Sequence, residues 1–165
     1  MIDRDVIKEI LGKALATGGD FAEVFIEDTE RSSLSLVNGQ IETAVSGRDF
    51  GVGIRIFMGL RSIYAYTNDI SREGLLKTAK DAALALGEVG DDKVIDLIER
   101  VNVNVHPILY VPSGIHISKK VSKLKEAYSV AKNYSDEIVQ VMASYGDVDQ
   151  KILIANSEGL FTKDR

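Results

Sequence analysis

Residues 49–69 read "DFGVGIRIFMGLRSIYAYTND", with Gly51, Gly53 and Gly59 inside nine positions. A phosphate-cradling loop needs a strand, then glycines, then a helix N-terminus whose amides point at the anion. Here Phe50, Val52, Ile54, Ile56 and Met58 alternate with Gly51, Gly53, Arg55 and Phe57. That period of two is a strand running through its glycines. A second alternating run, "SIYAYT", follows, and no Lys-Ser/Thr pair does. The stretch therefore predicts two strands joined at Gly59. Glycines on one strand face admit a close neighbour, and the alanine-rich helix expected at 71–86 is the candidate.

Working outward, residues 3–17 place Val6, Ile7, Ile10, Leu11, Ala14 and Leu15 on one helical stripe. Asp3 or Asp5 caps it and Gly18-Gly19 stops it. Ala22, Val24 and Ile26 then alternate with Glu23, Phe25 and Glu27, and Leu34 and Leu36 keep the parity. Asn38-Gly39 between alternating runs is a strong hairpin signal, with "QIETAVS" as partner strand. A helix over 71–86 has Ser71 or Asp69 as cap and Leu75, Leu76, Ala79, Ala82, Ala83 and Leu86 as its apolar face. "EVGDDKVIDLIER", residues 88–100, is a short helix or linker, and residues 91–117 read as a connector. "VNVNVHPILYVPSG" is an edge strand or extended segment limited by Pro107 and Pro112. A third helix spans 118–134. A strand, a Gly146-Asp147 turn, a strand, a Gly159 turn and the start of another strand follow. Consecutive hairpins with helices to one side predict an α+β fold built on an antiparallel sheet. The parts are a helix–four-strand–helix core over 1–90, the connector, and a helix plus hairpin over 118–165. A chain that stops within a strand pattern is expected to be a fragment of a longer protein.

A net charge of -5 gives no drive toward nucleic acid or anionic lipid. The one basic cluster, Lys119, Lys120, Lys123 and Lys125, is expected on the solvated faces of its helix. No apolar run nears the ~20 residues a bilayer span requires. The absence of cysteine removes disulfide and thiol chemistry and suits a reducing cytoplasm.

Catalytic constellations are absent from the sequence. His106 and His116 have no acidic or sulfur partner at ligand spacing and read as solvent-facing or capping residues. "SEG" at Ser157 to Gly159 is a turn, not a nucleophile elbow. Asp147-Val148-Asp149 offers too few oxygens for a calcium loop. Arg55, Tyr64 and Tyr66 are placed to share a sheet face. Cross-strand packing is the first reading of that face, ahead of a base-stacking platform or contact with a peptide or partner. No catalytic and no metal-ligating residue is assigned.

The order of motifs carries a resemblance. Gly19-Asp20-Phe21-Ala22-Glu23-Val24, the Asn38-Gly39 hairpin, and Gly51 to Arg55 ("GVGIR") come first. "YAYTNDIS" leading into the alanine-rich helix and "ILIANSEGLFTKDR" follow in the same order over nearly the whole chain. The chain resembles the N-terminal region of the TldD/PmbA family, the modulators of DNA gyrase regarded as zinc metallopeptidases, and its TldD branch more closely. The cytoplasmic expectation rests on the cysteine-free sequence; the resemblance implies an N-terminal domain that contributes to a substrate cleft for peptides. It also implies a homodimer, or a heterodimer with a paralogue. The family's zinc helix, H-E-x-x-x-H, is not in these residues, so zinc is implied for the full-length enzyme only. The chain is expected to be inactive alone and to need a C-terminal catalytic region or subunit. A stand-alone, non-enzymatic module binding a peptide or protein is the alternative. A nucleic-acid role is opposed by the acidic charge.

Overall fold

The structure, a computed structural model, describes residues 2–87, 90–102 and 106–165. Its elements are α1 (Arg4–Ala14), β1 (Phe21–Val37), β2 (Gln40–Met58), β3 (Arg61–Thr67), α2 (Arg72–Leu84) and β4 (Ile98–Arg100). After these come α3 (Ile117–Lys132), β5 (Met142–Asn156) and β6 (Leu160–Asp164). The strands form one sheet in the order β3-β2-β1-β5-β6-β4. The β2–β3 and β5–β6 pairs are antiparallel and the short β4 lies parallel to β6. The fold is α+β with a mostly antiparallel sheet. Residues Val103 and Val105 of the expected edge strand lie outside the described residues; the strand present near them is β4.

Two compact units share the chain: Met1–Asp28 with Phe50–Val103 and Lys151–Arg165, and Thr29–Asp49 with Asn104–Gln150. In the first unit, Asp3 caps α1 by accepting a hydrogen bond from the Asp5 amide at 2.8 Å. Ser71 caps α2 by accepting one from the Gly74 amide at 3.0 Å. Ile7, Ile10, Leu11 and Ala14 of α1 and Leu75, Ala79, Ala82 and Ala83 of α2 bury against the even-numbered residues Ala22, Val24, Ile26, Val52, Ile54 and Ile56. Leu153, Ala155 and Phe161 close the same core. In the second unit a smaller core joins Leu34 and Leu36 to Leu124 of α3, flanked by Ile41, Val121 and Tyr128.

The structure corrects the local reading at three places. Residues 40–46 and 50–58 are one strand rather than two, so three strands instead of four precede α2. Gly146 and Asp147 lie inside β5, and the β5–β6 turn falls at Gly159, whose φ is +93°. The alanine face of α2 does not cover Gly51 and Gly53. It packs on the opposite sheet face, with Val52 and Ile54. A Cβ at Gly51 would overlap the Tyr66 ring, and one at Gly53 the Tyr64 hydroxyl. Each tyrosine lies diagonally across the strand pair, since Tyr66 is opposite Gly53 and Tyr64 opposite Arg55.

Candidate functional site

On the helix-free face of the first unit, Arg55, Tyr64 and Tyr66 come together as the sequence pattern predicts. The Arg55 guanidinium stands 5.6 Å from the Tyr64 ring centroid and 5.9 Å from that of Phe57. It also pairs with Glu23 at 3.6 Å. Phe57 in turn lies 6.0 Å from Phe21, centroid to centroid. The Tyr66 hydroxyl donates to the Phe50 carbonyl at 3.1 Å. Tyr64 and Tyr66 remain 57% and 60% exposed. The face thus offers exposed aromatic edges and a cation held over them.

The second unit holds a group that the sequence pattern did not reveal. A cleft of about 580 Å³ is lined by Ser32, Leu34, Val45, Ser113, Lys120 and Asp147, among others. Lys120 is only 8% exposed. Its ammonium donates to Asp147 at 2.6 Å and to the Ser32 hydroxyl at 2.9 Å. Ser32 itself donates to the same Asp147 oxygen at 2.8 Å. Burial pushes the Asp147 carboxyl upward, yet hydrogen bonds from Lys120, Ser32 and Tyr145 outweigh it and hold the group below the usual carboxylate range. The hydrogen bond to Asp147 pushes the Tyr145 phenol up, and burial adds to it. The Ser32 hydroxyl meets an ammonium and a carboxylate already matched to each other, so no free base activates it. The group neutralises its own charge rather than presenting a nucleophile. Lys120 is thus a buried partner and not one of the solvated lysines expected of its helix. The available signal was spacing: Lys120 stands four residues before Leu124, on the apolar stripe of α3.

His116 is the N-cap of α3, its Nδ1 accepting from the Ser118 amide at 3.3 Å. His106 is exposed. Among the described residues no group of three His, Asp or Glu side chains is placed to hold a metal ion. The described donors do not fit a zinc centre, which needs three or four converging ligands. Asp147 and Asp149 also fail as a cation site, because Lys120 occupies Asp147. Among the described residues no helix is long and apolar enough to cross a membrane.

Residues 22–86 match the family model for PmbA/TldA metallopeptidase domain 1, and residues 110–165 that for the PmbA/TldA metallopeptidase central domain. The chain belongs to the PmbA/TldD family. A metalloprotease TldD homolog of Buchnera aphidicola is 26% identical over 149 residues, covering 88% of this chain and 30% of the relative. A metalloprotease of Methanothermobacter thermautotrophicus is 26% identical over 161 residues, covering 96% and 34%. The chain spans about a third of the length of the curated relatives it matches. Among solved structures, a protein from Bacteroides thetaiotaomicron described as a modulator of DNA gyrase shares the fold. Its TM-score is 0.72 at 19% identity, over 99% of this chain and 39% of that one. TldE from Thermococcus kodakarensis shares it at a TM-score of 0.67 and 17% identity, over 96% and 36%.

Proposed function

We propose that this chain is the N-terminal portion of a TldD-like zinc metallopeptidase acting on peptides in the cytoplasm. Its role is to wall the substrate cleft and to carry assembly contacts, with itself or with a paralogue. The observation that carries this reading is the match to two successive family domains in a chain whose described residues assemble no metal ligand set. Zinc and the hydrolytic water then belong to a region or subunit bearing H-E-x-x-x-H, since hydrolysis at neutral pH needs an activated water or nucleophile. The exposed face of Arg55, Tyr64 and Tyr66 supports a second reading, a non-enzymatic module that binds a peptide or protein.

The test is to dialyse the isolated chain against a weak chelator and measure zinc and peptidase activity, alone and with the motif-bearing region added. Zinc and activity are expected to travel with that region, and the chain is expected to raise its activity. One tightly held zinc per isolated chain, or chelator-insensitive hydrolysis by it, overturns the reading. Peptide binding with no effect on any motif-bearing region selects the module.

A further inference from the structure

Pro107 and Pro112 bracket a short apolar run that belongs to no helix or strand. Ile108 is 43% exposed, Leu109 82% and Tyr110 79%. Among the described residues, none forms a hydrogen bond with Ile108, Leu109 or Tyr110. Proline holds the residue before it extended, and Val111 has a φ of -80° and a ψ of 120°. An exposed, extended backbone with free amides and carbonyls is what a protease cleft grips as an added strand. The most exposed leucine and tyrosine elsewhere, Leu60 and Tyr134, are tied down. Leu60 sits in the turn closed by Met58 and Arg61, next to Gly59, whose amide donates to Asp20 at 2.6 Å. The Tyr134 amide donates to the Ala131 carbonyl at 3.3 Å.

A cut at this run does not divide the molecule. The first unit takes Met1–Asp28 and Phe50–Val103 from before the cut and Lys151–Arg165 from after it. Leu153, Ala155 and Phe161 fill its core. The Ala22 amide donates to the Ser157 hydroxyl at 3.0 Å, and the Ile98 amide to the Gly159 carbonyl at 2.7 Å. The second unit takes Thr29–Asp49 from before the cut and most of its remainder, up to Gln150, from after it. There Leu34 and Leu36 pack on Leu124, and Ser32 bonds Lys120 and Asp147. The Asn38 amide donates to the Val141 carbonyl at 3.0 Å, and the Val141 amide to the Asn38 side-chain oxygen at 3.1 Å. Each of these contacts joins one piece to the other.

We propose that Leu109 and Tyr110 form a processing site for a protease that accepts a large apolar or aromatic residue before the scissile bond, and that the cut chain remains one folded molecule. Water adds across the amide after Leu109 or Tyr110. Its C–N bond breaks, the first piece ends in a carboxylate and the second begins with an ammonium group. The proposal stands apart from the peptidase reading, since here the chain is the substrate.

Brief chymotrypsin treatment of the native chain tests it. The first cut should fall after Leu109 or Tyr110, read from the masses of the two pieces. The nicked chain should sediment at the mass of the intact one and come apart only in concentrated urea. Leu109→Gln combined with Tyr110→Gln should slow the first cut about tenfold or more, because the next sites need local opening before cleavage. That double variant should keep the urea midpoint of the wild type, and Tyr134→Gln should leave the rate unchanged. A first cut at Tyr134 or Leu60, or a rate that climbs in step with low concentrations of urea, shows that the run is not open and overturns the site. Pieces that separate in native buffer overturn the claim that the cut chain stays whole.

Discussion

Tyr64 lies across the backbone of Gly53: a Cβ at position 53 would stand 2.9 Å from the ring's Cε2 and overlap its hydroxyl. The obstacle is the far end of an exposed side chain, not a packed helix. Gly53→Val should therefore push the ring into solvent and cost no more than about 1 kcal/mol, below the usual range for overpacking a core. With Tyr64→Ala already in place the same change should be neutral or stabilising, because valine suits strands better than glycine. Urea unfolding of the two single variants and the double variant measures the coupling.

Gly12 is fixed by a different neighbour. A Cβ there would overlap the Lys93 carbonyl oxygen and reach its carbon at 3.5 Å, while the Lys93 amide donates to the Gly12 carbonyl at 3.3 Å. Alanine is the better helix former by about 1 kcal/mol. Backbone cannot rotate away as a tyrosine can, so Gly12→Ala should nonetheless lower the melting temperature. Movement of the segment around Lys93 should appear as faster amide exchange there.

Removing Lys120 should be among the most damaging single changes. Lys120→Met leaves the half-buried Asp147 charged and without its cation, and should cost up to the ~3 kcal/mol at which breaking a fully buried pair begins. Pairing it with Asp147→Leu removes the orphaned charge and should restore much of the loss. Denaturant midpoints of the single and double variants decide whether the pair acts as a unit.

Asp147 also fixes a pH dependence. Its folded-state pKa lies below the ordinary carboxylate value of ~3.9. The unfolded chain therefore takes up the proton first on acidification. The stabilisation is complete above that ordinary value and is lost as pH falls through the depressed one. Stability of the wild type should drop more steeply below about pH 4 than that of Asp147→Asn, measured as urea midpoints from pH 6 to pH 2.5.

What the sequence reveals here is mostly local. Asn38 and Gly39 take φ of 47° and 84°, the pair of positive values an Asn-Gly hairpin needs. The caps at Asp3 and Ser71 stand where short polar side chains precede apolar periodicity. The misread places involve partners far along the chain. Gly47, Arg48 and Asp49 carry no apolar alternation and read as a break between two runs, yet they continue β2, whose neighbour in the sheet is β1. Gly146-Asp147 has turn chemistry but sits in β5, where Lys120, 27 residues away, pairs with the aspartate. Arg55, Tyr64 and Tyr66 were legible as one face because period two and a short turn suffice to align them. The Lys120 group was not, because three elements contribute to it.

The way the two units share the chain sets the order in which the molecule can be completed during synthesis. The core of the first unit needs Ile7 and Leu11 from α1, but also Leu153, Ala155 and Phe161. Those last residues leave the ribosome more than a hundred positions after the helix they cover. Until then α1 and α2 have an unfinished apolar layer, and contacts of such long sequence separation form slowly. A nascent chain stalled near residue 140 should bind a chaperone that recognises exposed apolar surface, and release from it should follow the emergence of β6. No single break in the gene yields either unit whole, since one is made of three stretches and the other of two.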